Sequence, residues 1–124
     1  MLSVNMDEGN AIAVLETGAG LGQADLEAAV RVVDPFLRKR GRLNGLIVRA
    51  PGAEDWDAFA AMASRLRFAM DQHRAITRIA LVTDADASSV APRIAPHFVN
   101  AKIKIYPDAG LEHARAWILA ETYN

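Results

Sequence analysis

The chain has 124 residues, of which 52% are hydrophobic and 23% charged, and its formal net charge is -1. A chain of this length can form one core but not two, so we expect a single domain over residues 1–124. The small net charge disfavours binding driven by nucleic-acid phosphates, and the absence of cysteine excludes disulfides and thiolate metal sites. No apolar run approaches the roughly 20 residues of a membrane span, and residues 1–8 lack signal-peptide character. We therefore expect a cytoplasmic protein without a membrane span.

The amino-terminal residues have the pattern of a short β-hairpin. Residues 2–6 alternate apolar and polar side chains, residues 7–10 are turn-forming, and residues 11–15 are apolar. The second strand is nearly continuous in apolar residues, which predicts that both of its faces are covered.

A glycine-rich segment at residues 18–22 follows this strand. Its G-x-G-x-G spacing lacks the third glycine position of a dinucleotide-binding loop and the lysine and hydroxyl of a P-loop, so a flexible connection is favoured. Apolar residues at three- and four-residue steps between residues 26 and 37 then predict a helix that Pro35 bends or interrupts. Residues 38–40 are basic, and we interpret them as the last helical turn before Gly41 rather than as a binding patch.

Residues 46–48 (Leu-Ile-Val) are an apolar run between two helical patterns. Such a run is typical of a strand buried on both faces, and we place it in the middle of a parallel sheet. A turn at residues 51–52 leads into an amphipathic helix whose amino end is complemented by Glu54 and Asp55. Its predicted inward stripe is Trp56, Phe59, Ala60, Ala63, Leu66 and Met70, widened by Met62 and Phe68.

A third apolar strand at residues 77–83 is followed by two acidic side chains, Asp84 and Asp86. Carboxylates at this spacing after a parallel strand are compatible with a magnesium or phosphoryl-transfer site. Capping of a short helix around residues 90–95 is the simpler interpretation, because Asp and Ser side chains satisfy the free amides of a helix start.

Residues 102–106 alternate lysine and apolar side chains, which predicts an edge strand whose lysines discourage pairing with another chain. Asp108 is expected to cap the final helix, which has its apolar stripe at Leu111, Ala114 and Ile118, with Trp117 beside them. The whole order predicts an α/β fold: a mostly parallel five-stranded sheet with an antiparallel amino-terminal strand and about four helices.

Five segments together carry a family resemblance: residues 41–46, Trp56, residues 78–84, residues 101–107 and residues 112–118. Their order resembles the SpoIIAA-like family, small bacterial proteins of STAS type that share a fold with anti-anti-sigma factors and are often compared with lipid-binding CRAL-TRIO (Sec14) domains. The resemblance implies a STAS-like fold and a regulatory or protein-interaction role.

Anti-anti-sigma factors carry a phosphorylated serine at the start of the helix after the central strand. Residues 51–56 of this chain read Pro-Gly-Ala-Glu-Asp-Trp and contain no serine or threonine, so a phosphoserine switch at this position is excluded. Acidic charge already occupies that helix start.

If the family's strand order applies, with the second strand between the third and the fourth, a crevice opens between residues 18–22 and 83–86. Ligands of open α/β sheets bind outside such strand ends, so we expect a ligand or partner site there. Its residues are Gly20, Gly22, Glu54, Asp55, Trp56, Asp84 and Asp86.

The sequence contains no recognisable catalytic constellation. The three histidines lack metal-ligand spacing, and no Gly-x-Ser-x-Gly elbow is present. We therefore expect a non-enzymatic protein without a cofactor, and two functions stay open. One is an interaction module that docks a protein partner or a second copy as a homodimer; the other is a carrier or sensor of a small apolar or lipid-like ligand. The carrier would hold its ligand beneath Phe59, Met62, Leu66 and Met70.

Overall fold

The computed structural model describes residues 2–17, 23–41, 43–50, 56–57, 59–60, 76–97 and 101–122. Its strands are β1 (Leu2–Asp7), β2 (Ile12–Thr17), β3 (Gly45–Arg49), β4 (Arg78–Val82) and β5 (Lys102–Tyr106). The helices with described bounds are α1 (Gln23–Arg40), α2 (Ala87–Ile94) and α3 (Leu111–Thr122), and a 3-10 turn at Ala95–His97 follows α2. Residues 56–57 and 59–60 are also helical. The predicted α/β class is confirmed.

The five strands form one sheet in the order β1-β2-β3-β4-β5. β1 pairs with β2 antiparallel, and every later neighbour pair is parallel. The predictions that residues 46–48 lie in the middle strand and that the lysine-bearing strand lies at the edge are confirmed.

The expected strand order is wrong. β2 lies between β1 and β3, and β3 separates β2 from β4. From β2 onward each connection moves one strand in the same direction, so the order never reverses and the parallel part of the sheet has no switch point. The crevice expected between residues 18–22 and 83–86 therefore has no topological basis.

This one-way order also decides which face each helix covers. Right-handed crossovers that all step in one direction place their helices on the same face. We call it the crossover face, and the helical side chains buried on it come from α1, from Trp56 and Phe59, and from α2. α3, which follows the last strand, covers the opposite face, which we call the α3 face.

Alternate residues of the central strands supply both cores. Leu46 and Val48 of β3 are buried on the crossover face, whereas Ile47 is buried on the α3 face together with Ala114 and Ile118. The lack of alternation in the sequence of β3 follows from this burial on both sides.

Helix α1 continues through Pro35 to Arg40, so the expectation that the proline interrupts it is wrong, while the alternative that the proline bends it stays a prediction. Pro35 and Arg31 are both exposed, and water can bond the Arg31 carbonyl that lacks its usual amide donor. The helix is followed by Gly41 at a φ of 82°, the left-handed conformation that the sequence predicts at this end. None of the described helices is long and apolar enough to cross a membrane.

Candidate functional site

Polar side chains gather where the parallel strands end. Because β2 to β5 are parallel, their carboxyl ends lie along one border of the sheet, together with the described turns after β4 and β5. We call this border the carboxyl edge and define it by five charged residues: Glu16, Arg49, Asp84, Asp86 and Asp108.

Arg49 lies at the centre of the carboxyl edge and joins three parts of the chain. Its Nε and Nη2 atoms donate to Oδ1 and Oδ2 of Asp108 at 3.0 and 2.9 Å, a two-pronged pair. Its Nη1 atom donates to Oε2 of Glu16 at 3.4 Å. The end of β3 is thus tied to the end of β2 and to the turn after β5.

The electrostatics of this group follow from its geometry. The hydrogen bonds and positive charge of Arg49 lower the pKa of Asp108, and the same contacts with Asp108 raise the pKa of Arg49. All three side chains remain between about 35% and 39% exposed, so water screens the pair and its contribution to stability is small. The arrangement chiefly fixes where these charges point.

The sequence predicts that Asp108 caps the final helix, and that prediction is wrong. The helix begins at Leu111, and its first backbone bond runs from Ala114 N to Gly110 O at 2.9 Å. Asp108 lies in the preceding turn, which Gly110 N closes by donating to Pro107 O at 2.7 Å. The carboxylate is therefore available to Arg49 instead.

The two acidic residues after β4 have different structural roles. Asp86 caps α2, because its Oδ1 atom accepts from the Ser88 amide at 3.0 Å, as the capping interpretation predicts. Asp84 instead accepts from the Asp108 amide at 3.0 Å and braces the turn after β5. Both side chains are exposed. Within the described ranges, no three His, Cys, Asp or Glu side chains come together as a metal site.

Trp56 lies behind this edge, in the core of the crossover face. Its indole is fully buried, donates from Nε1 to Thr83 Oγ1 at 3.2 Å and meets the Phe59 ring edge-on at 6.2 Å. Thr83 Oγ1 also accepts from the Ala85 amide at 3.1 Å. The indole therefore packs as a core group and presents no exposed ring surface to a ligand at this edge.

Of the remaining residues of the two expected sites, the structure describes only Phe59. Phe59 is fully buried in the same core as Trp56. The others lie outside the described residues, and their proposed roles stay predictions: Gly20, Gly22, Glu54, Asp55, Met62, Leu66 and Met70.

Sequence reasoning missed Glu16 and Arg49 as members of this group. Their positions in the sequence could have identified them, because both are charged residues at the carboxyl end of an otherwise buried strand. Neighbouring parallel strands bring such ends together. Glu16 and Arg49 are in fact directly paired positions of β2 and β3.

A mostly parallel sheet with crossover helices on one face, a final helix on the other and a polar carboxyl edge defines a small α/β domain. The family model for SpoIIAA-like proteins matches residues 12–119, and the chain belongs to this family, which is of STAS type. Membership is consistent with a regulatory or interaction module. The comparisons with curated proteins and with solved structures each gave no match.

Proposed function

We propose that the protein is a non-enzymatic, cytoplasmic interaction module that docks a basic surface of a protein partner on its carboxyl edge. The observation that supports this proposal is the imbalance of charge there. Among the residues that the structure describes, four carboxylates lie along the edge with one cation, and that cation, Arg49, already pairs with two of them. The exposed carboxylates of Asp84 and Asp86 are left to attract positive charge from outside.

The local hydrogen bonds favour a docking surface because they hold the acidic side chains in place before a partner arrives. Asp84 is bonded to the turn after β5, and Asp86 is bonded to the first turn of α2. Side chains that are already ordered lose less conformational entropy on binding. Glu54 and Asp55 would extend the acidic surface if they lie beside it.

The experiment compares two neutralising variants. Asp84→Asn together with Asp86→Asn removes two charges, while the amide oxygens can still accept from the Asp108 and Ser88 amides, so the fold is retained. The control is Glu8→Gln, an exposed acid in the turn before β2, at the opposite end of the parallel strands.

Cross-linking of the wild-type chain in an extract of its source cell identifies the partner and the contacted residues. With that partner purified, the double variant is expected to associate several-fold more slowly, with a weaker dependence on salt, whereas Glu8→Gln associates as the wild type does. Cross-links confined to another surface, or equal association rates for the double variant and the wild type, would contradict the proposal.

A further inference from the structure

Strand β5 lies at one border of the sheet. Within the part of the chain that the structure describes, it is the last strand of the sheet and pairs with β4 alone. Its five residues continue the ladder in regular register and include no proline. A regular edge of this kind presents backbone donors and acceptors that can bind a further strand.

The side chains of β5 give its two faces different chemistry. Lys102 and Lys104 are exposed on the α3 face, whereas Ile103 and Ile105 are only partly buried on the crossover face. An incoming strand therefore meets positive charge on one face and an apolar border on the other.

Lys104 is held in place by aromatic rings. Its Nζ atom lies 5.4 Å from the centre of the Tyr106 ring and 5.8 Å from that of Trp117, and the two rings are 6.4 Å apart. Among the described side chains, no carboxylate forms an ion pair with Lys104. The lysine thus presents a positioned positive charge beside two partly exposed rings, a composition typical of binding surfaces.

We propose that β5 is a docking edge for an extended acidic segment of a partner protein, added as a sixth strand with its carboxylates facing Lys102 and Lys104. Alternate apolar side chains of that segment extend the row of Ile103 and Ile105 on the crossover face. Cross-strand pairs of opposite charge stabilise such an addition, and backbone hydrogen bonds supply the rest.

A second copy of β5 is a poor occupant of the same edge. Antiparallel pairing of two β5 strands places lysines of both copies on one face, where like charges repel. The lysines that discourage pairing with a second β5 strand favour pairing with an acidic strand. They therefore make the edge selective for acidic partners.

The test uses the full chain and two capped synthetic peptides. One alternates glutamate and valine, and the other has lysine in place of each glutamate. We expect the glutamate peptide to shift the backbone NMR signals of residues 101–107 and the fluorescence of Trp117, with affinity that falls as salt is added. The lysine peptide is expected not to bind.

Charge reversal provides the sharper result. Lys102→Glu with Lys104→Glu should weaken binding of the glutamate peptide by about tenfold or more and create binding of the lysine peptide. Both lysines are exposed, so circular dichroism should show an unchanged fold. The matched control is Lys39→Glu, which reverses the remaining lysine of the chain, exposed on α1, and should leave both peptides' affinities unchanged.

Three outcomes would overturn the inference: signal shifts that centre on the carboxyl edge, equal binding of both peptides, or no shift in β5 at millimolar glutamate peptide. A dimer that the Lys102→Glu, Lys104→Glu variant abolishes would also overturn it, because the occupant would then be a second copy. Binding of the glutamate peptide to β5 does not depend on the carboxyl edge. The variant with Asp84→Asn and Asp86→Asn should therefore bind this peptide as the wild type does.

Discussion

Gly45 lies directly against Ile118, so that the first residue of β3 and the middle of α3 are in close contact. A Cβ atom added at position 45 would lie 2.7 Å from Cγ2 and 2.9 Å from Cγ1 of Ile118, and both residues are buried. Real Cβ atoms essentially never approach so closely. The absence of a side chain at this position is what lets α3 pack on the middle of the sheet.

Gly45→Ala is therefore expected to destabilise the protein by about 1–3 kcal/mol, because the added methyl group forces α3 away from the sheet. Urea unfolding at neutral pH measures the change. The matched control is Gly9→Ala, where the new methyl group meets only Asp7 Oδ1, at 3.8 Å, and the stability should change little.

A second substitution separates crowding from other effects of the alanine. Ile118→Val removes the Cδ1 atom, and alone it should cost about 0.5–1.5 kcal/mol. In the Ile118→Val background, Gly45→Ala should lower the free energy of unfolding by less than it does in the wild type. The two substitutions would then be coupled favourably. Strictly additive costs would show that the clash with Ile118 is not the cause.

The Trp56–Thr83 hydrogen bond leads to a second prediction. Thr83 is the buried polar residue of the described core, at 3% exposure, and its hydroxyl accepts from Trp56 Nε1 and the Ala85 amide. Thr83→Val keeps the shape but leaves the buried indole N–H without its acceptor, which should cost about 1–3 kcal/mol.

Thr83→Ser supplies the control for that prediction, because it keeps the hydroxyl and loses only a methyl group. It should therefore cost less than Thr83→Val in the same unfolding experiment. Near-ultraviolet circular dichroism should report a changed tryptophan environment in the valine variant. If serine proves the more damaging of the two, packing rather than hydrogen bonding governs this position.

Local patterns along the chain were sufficient to predict most of the fold. The apolar run at residues 46–48 indicates the central strand, because a strand buried on both faces has apolar side chains at consecutive positions. The alternation of lysine and apolar residues at 102–106 indicates the edge strand, because only one of its faces is buried. The cap at Asp86 is likewise local, since its acceptor and the Ser88 amide are two residues apart.

The neighbours of each strand were not predictable in the same way. An apolar run shows that a strand is buried but not which strand lies beside it, so the order of β2, β3 and β4 had to come from a family resemblance and was wrong. The Arg49–Asp108 pair depends on that order and joins residues 59 positions apart. The candidate site was therefore only partly predictable, through Asp84 and Asp86.

The turn between β1 and β2 contains a strained residue. Ala11 has a φ of 54°, which lies in the left-handed region that residues with a Cβ atom disfavour. Its carbonyl accepts a hydrogen bond from the backbone N–H of Asn44 at 2.7 Å. Ala11→Gly should raise the free energy of unfolding by roughly 0.5–1 kcal/mol, because relief of this strain exceeds the added freedom of the unfolded chain.

An alanine-to-glycine substitution is expected to lower the free energy of unfolding where the alanine has ordinary helical backbone angles. Ala28 is exposed within α1, and Ala28→Gly should lower the free energy of unfolding by about 1 kcal/mol. Both variants are compared with the wild type by urea unfolding. Destabilisation by Ala11→Gly comparable to that of Ala28→Gly would contradict the claim that the turn is strained.

The ion pair at the carboxyl edge makes a prediction about pH. Hydrogen bonds from Arg49 depress the pKa of Asp108 below that of an unfolded aspartate, so the folded state favours the ionised form. This contribution to stability is present above the unfolded pKa of about 4 and is lost as the pH falls through the lower, folded value. Asp7 behaves alike, its pKa lowered chiefly by the Asn10 side chain.

An NMR titration of the side-chain carboxyl carbons tests the assignment residue by residue. In the wild type, Asp108 should titrate below an ordinary aspartate, and Arg49→Met should return it towards the ordinary value while leaving Asp7 unchanged. Asn10→Ala should have the reverse effect, raising the pKa of Asp7 and not that of Asp108. A low pKa for Asp108 that survives Arg49→Met would place its cause outside the pair, for example in the backbone of the turn that holds it.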